Sequence, residues 1–153
     1  MDEIERKLED LGWKLPAAPA PAGSYVPFRI DWKTLYLSGV LNMKDGALTH
    51  AGQVGREQTV ESGYAAAQAC AVNTLANVKF ALGRLERVRE FLLVSGFVNG
   101  IAGFDGSPQV IDGASDLFVK LYGERGKHAR VAVAAAGLPR NATVEISVIL
   151  RFE

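Results

Sequence analysis

Residues 126–150 read GKHARVAVAAAGLPRNATVEISVIL, two runs rich in Val, Ile and Ala, and each run carries a charge in its interior, Arg130 and Glu145. Branched residues in alternation mark strands, and the Gly, Pro and Asn between the runs mark a turn. Strand side chains alternate between faces, so Val131 and Val133 share one face while Arg130, Ala132 and Ala134 share the other. In the second run Val144, Ile146, Val148 and Leu150 form an apolar face opposite Glu145, Ser147 and Arg151. If both polar faces line one cleft, a guanidinium there offers a planar fork to a carboxylate, and a carboxylate beside it accepts a proton from water. A solvated sheet face and a structural Arg–Glu ion pair are the competing readings.

Working outward, the apolar faces of these strands need cover, and the chain supplies it. The run REFLLVSGFVN (residues 89–99) reads as a strand with a glycine that marks a bulge. GFDGSPQV breaks it and starts a helix with Val110, Ala114, Leu117 and Leu121 at helical spacing and Gly123 as its cap. From Glu57 to Leu85, Ala67, Ala71, Leu75, Val78, Leu82 and Leu85 recur at steps of four and three, a long helix with a face for a sheet. Before it, YVPFRI and TLYLSGVLNM read as strands, and Asp45-Gly46 supplies a tight turn that makes residues 34–50 two paired strands. DEIERKLEDL (residues 2–11) places Ile4, Leu8 and Leu11 on one side of a short amphipathic helix expected to dock on the body. PAAPAPAG (residues 16–23) follows as an extended tether. The expectation is an N-terminal helix and tether over 1–23 and a single domain over 24–153. Its fold class is α+β, with two helices packed on one face of a sheet.

Composition narrows the function. The 153 residues contain 17 basic and 17 acidic side chains, so no overall positive field draws in a polyanion, and nucleic acid is not the expected partner. One cysteine, Cys70, excludes an internal disulfide framework, and with only two histidines the chain does not read as a metal enzyme. No run reaches the roughly 18 apolar residues of a membrane span, and the charged N-terminus lacks a secretory pattern. A cytoplasmic chain is expected, with the NAT at Asn141 serving as turn chemistry. Cys70 reads as a small buried residue, and His128 as a hydrogen-bonding cap at a strand start.

The order of LYLSGVL, TLANVKFAL, FLLVSGFVN, HARVAV and GLPRNATVEISVI over residues 24–152 resembles the reactive-intermediate deaminases, the Rid or YjgF-type family once labelled L-PSP endoribonucleases. The N-terminal helix, tether and HAR triplet are most similar to a less-characterised branch. The resemblance implies a chorismate-mutase-like fold, a homotrimer, and active sites at the clefts between subunits, with no metal or organic cofactor. It implies that Arg130 binds the carboxylate of a small imino or keto acid and that Glu145, fifteen residues on, activates water. Tyr25, thirteen positions before Ser38-Gly39, would close the cleft, and Gly39 would line it. Two positions depart from the family pattern. Ala132 stands where the deaminases carry a cysteine whose backbone carbonyl faces substrate, and an asparagine of the second helix falls near Asp112 or Gly113. The implied reaction is hydrolysis of 2-imino acids to 2-keto acids and ammonia. A non-catalytic trimer that binds a small carboxylate, and an endoribonuclease, are the alternative functions.

Overall fold

The last apolar run becomes the centre of the sheet because both of its edges are paired. In the computed structural model, which describes residues 1–153, β8 (Val144–Phe152) lies antiparallel to β2 (Thr34–Leu37) and β3 (Val40–Leu41) on one side and to β6 (Val88–Asn99) on the other. Beyond β6, β7 (Ala129–Ala135) adds a parallel edge, and β1 (Phe28–Asp31) closes the other margin, giving the order β1-β2-β8-β6-β7. Val144, Ile146, Val148 and Leu150 are fully buried, as a central strand requires.

Residues 34–50 divide differently from the expected pair of strands. The run breaks at Ser38-Gly39, where the Ser38 amide donates to the Pro27 carbonyl and the Ser147 hydroxyl donates to the Leu37 carbonyl. Its two halves then lie along β8 as β2 and β3. Asp45-Gly46 does make the tight turn, with φ of 52° and 80°, but it joins only β4 (Met43–Lys44) to β5 (Ala47–Leu48) in a separate ladder.

Three helices accompany the sheet. α1 (Glu3–Asp10) is capped by Asp2, whose side chain accepts from the Glu5 amide and also from the Glu86 amide of the body. Ile4 and Leu8 are buried, whereas Leu11 sits past the last turn and is exposed. α2 (Val60–Leu82) begins on a capping box between Thr59 and Ser62 and ends at Gly83, with φ of 80°. α3 (Ser107–Tyr122) starts with Pro108 in its first turn and stops at Gly123. α2 and α3 lie together on one face of the sheet, and their alanines and glycines bring them close. A Cβ on Gly96 would fall 2.6 Å from the Ile111 side chain, so this strand glycine admits α3 instead of marking a bulge. The irregularities of β6 lie earlier, between Val88 and Glu90 and between Phe91 and Leu93.

The other sheet face has no cover within the chain. Tyr36, Val131 and Val133 are exposed there, in register with half-buried Leu93, Phe97 and Ile149. No helix is long and apolar enough to cross a membrane.

Candidate functional site

Register decides where Arg130 points. It pairs with Val94 of β6, which pairs with Val148 of β8, and both valines are buried under the helices. Arg130 therefore projects from the helix-covered face at the β7 margin, and it reaches α3. Its Nη1 donates to Asp112 Oδ1 at 2.7 Å and to Ser115 Oγ at 3.2 Å, while Nη2 has only the Pro108 carbonyl at 3.4 Å. Asp112 and Ser115 are one helical turn apart, so α3 presents both to the same guanidinium. Ala132, two residues on, shares that face and packs against the core.

His128 completes this group. Its Nδ1 lies 2.6 Å from the Gly126 carbonyl, which can only accept, so Nδ1 carries the proton. Nε2, 2.8 Å from Ser115 Oγ, then accepts from the serine hydroxyl, and that oxygen accepts from Arg130. Burial is the main cause holding the imidazole below its usual pKa, and the Arg130 charge adds to it. The result is a neutral, tautomer-fixed ring that orients the arginine. As the sequence suggested, His128 is a hydrogen-bonding cap.

Glu145 sits elsewhere. It aligns with Phe97 and Leu41, which places it on the uncovered face. Burial pushes its carboxyl above the usual range, with no neighbouring cation to offset the shift. Gly39 packs directly against it: a Cβ there would stand 2.9 Å from Glu145 Oε1. The same glycine, with Tyr25 and Ser38, lines a cleft of about 560 Å³ whose roof is the proline tether. The Tyr25 hydroxyl accepts from the Ala22 amide at 3.2 Å, so the tether is folded onto the cleft as well as spanning it. Arg140, Lys44 and the amides of Asn73 and Asn77 line it too, and Asn77 Oδ1 is buried with no partner.

The expectation of one cleft lined by both charged positions is thus corrected for the single chain. Tyr25, Gly39 and Glu145 gather at one end, whereas Arg130 and Ala132 occupy the opposite face beyond β6. The physical reason is parity: one rung of register reverses the face of every residue in a strand. Asp112, noticed in the sequence only as a departure, emerges as the ion-pair partner of Arg130. Its spacing of three from Ser115 was the available signal.

Comparison with known proteins places this geometry. A family model described as "YjgF/chorismate_mutase-like, putative endoribonuclease" matches residues 5–151. The chain belongs to the YjgF/Rid family. Among YjgF/Rid relatives, Protein TCP17 of Trypanosoma cruzi is 40% identical over 148 residues, covering 96% of this chain and 92% of that protein. The crystal structure of protein Atu1372 from Agrobacterium tumefaciens superposes with a TM-score of 0.93 at 45% identity, covering 98% of this chain and 92% of that one. RidA from the Antarctic bacterium Psychrobacter sp. PAMC 21119 matches with a TM-score of 0.62 at 27% identity, over 88% of this chain and 94% of its own.

Proposed function

We propose that this YjgF/Rid chain forms a homotrimer whose inter-subunit clefts hydrolyse 2-imino acids to 2-keto acids and ammonia. The observation that carries the reading is the separation of Arg130 and Glu145 onto opposite faces of one sheet, Glu145 against the Gly39 that lines the tether cleft and Arg130 against α3. Two such half-sites act together only when the Arg130 margin of one copy meets the Glu145 end of another. The uncovered face with Tyr36, Val131 and Val133 is an apolar surface of the kind that assembly buries.

In that cleft the substrate carboxylate takes the Nη2 side of Arg130, which its own chain leaves almost free. Glu145, half-buried and with a raised pKa, accepts a proton from water as the oxygen adds to the imine carbon. Glu145 passes its proton to the nitrogen of the carbinolamine and takes up the hydroxyl proton as the C=O bond forms, so the C–N bond breaks and ammonia leaves with the keto acid behind. Imine hydrolysis is intrinsically fast, so holding the carboxylate and presenting water supply most of the acceleration. The Ala132 carbonyl keeps the acceptor that the family's cysteine provides from its backbone.

The test generates 2-aminoacrylate with a dehydratase and follows its loss with and without the protein. Faster loss than in buffer is expected for at least one of several imino acids. Loss at the buffer rate for all of them rejects hydrolysis and leaves the small-carboxylate binder, which needs only the Nη2 side of Arg130. Assembly is tested separately by sedimentation velocity. A trimer is expected at micromolar concentration, and a stable monomer there removes the composite cleft.

A further inference from the structure

We propose that Asp112 is a specificity-determining residue, selecting ligands that carry a positive charge beside their carboxylate over plain 2-keto acids. The proposal rests on the reading of Arg130 as the carboxylate anchor and concerns what else the anchored ligand must bring. Asp112 Oδ1 and Ser115 Oγ occupy Nη1 of Arg130, leaving the Nη2 side for a ligand. A carboxylate bound there lies next to the Asp112 carboxylate, whose side chain is 48% exposed and whose second oxygen has no donor. Two carboxylates share the single charge of one guanidinium, so a second positive charge beside them relieves their mutual repulsion. A 2-iminium or 2-ammonium group, attached to the carbon next to the carboxylate, places its N–H bonds in that position. A keto oxygen there adds a further acceptor.

The chain's own residues do not supply that cation. Arg130 is the one cation of the chain paired with Asp112, Lys127 pairs with Glu124, and His128, on β7's approach, is held neutral. Asp116, one turn further along α3, accepts from the Tyr64 hydroxyl at 2.7 Å and adds negative charge to the same helix. Arg130 thus pairs with a helix that carries a second carboxylate one turn beyond its partner. The pair leaves the anchor near neutrality, and ligand charge decides the fit.

The variant is Asp112→Asn, which keeps an oxygen for Arg130 and removes the charge. Calorimetric or NMR titration of the full chain with pyruvate and with both enantiomers of alanine reads the effect as a ratio. Wild type is expected to bind alanine at least tenfold more tightly than pyruvate. Asp112→Asn is expected to tighten pyruvate and weaken alanine, each by about tenfold, the scale of a partly screened charge pair. If Asp112→Asn weakens both equally, Asp112 only positions Arg130 and the proposal falls. It falls equally if wild type prefers pyruvate. Arg130→Ala is expected to abolish binding of both probes; retention of both in that variant, or no binding to wild type, rejects the anchor itself. Because the ratio is read from binding, a failure of turnover leaves it measurable and is distinguishable from a failure of selection.

Discussion

Glu145→Gln is expected to bind small carboxylates as wild type does while hydrolysing imines about 100-fold more slowly, the lower end of what a positioned general base contributes. Glutamine preserves the shape that packs against Gly39, where a Cβ would already be within 2.9 Å of Oε1, but it cannot accept the proton of the attacking water. The proposed anchor is Arg130 on the other face, so Kd for a keto or amino acid is expected not to move. Loss confined to turnover is the pattern of an interaction made mainly in the transition state. The pH profile gives a second readout. Burial raises the carboxyl pKa, and the base works only when ionised, so the wild-type rate should fall as the pH drops through that raised value. Glu145→Gln should lack this limb. Equal rates and equal profiles for the two proteins would remove Glu145 from the chemistry, and a weakened Kd would make it a binding residue instead.

Gly113→Ala is expected to destabilise the chain by about 3 kcal/mol, at the upper end of the cost of overpacking a core. α3 crosses α2 at this glycine so closely that an added Cβ would penetrate the Tyr64 carbonyl oxygen and press on the Ala67 methyl. Backbone on α2 cannot rotate aside as a side chain does, so the helices must separate and lose dispersion contacts along their shared length. Urea denaturation measures the loss. Gly137→Ala is the control, since nothing lies within 4 Å of its Cβ position, and it should change stability by less than about 0.5 kcal/mol. If Gly113→Ala costs no more than this control, the helix pair has slack and its close approach is not a constraint. Asp112 precedes Gly113, so widening the helix pair also displaces the partner of Arg130. At 112–113, then, one residue serves the guanidinium and the next serves helix contact.

The sequence by itself determined the elements whose signal is local. Apolar spacing found α1, α2 and α3, alternation found β8, Asp45-Gly46 marked a tight turn, and Gly123 marked the end of α3, where φ is positive. These features depend on neighbours a few residues away, and propensity and period encode such neighbours directly. Family membership was legible for a related reason, because the order of the motifs survives where single positions change. The tertiary structure alone decided the relation of Arg130 to Glu145. β7 alternates Ala with Val, both small and apolar, so its pattern does not say which face meets the helices; pairing of Arg130 with Val94 settles it. Likewise Gly96 reads as a bulge in isolation, and only the arrival of Ile111 from a later helix shows that it makes room. The role of Asp112 was equally hidden, since its partner lies eighteen residues on along the chain and on a different element. Register and contact between distant segments are set by how the whole core closes, and a single strand carries too little information to fix them.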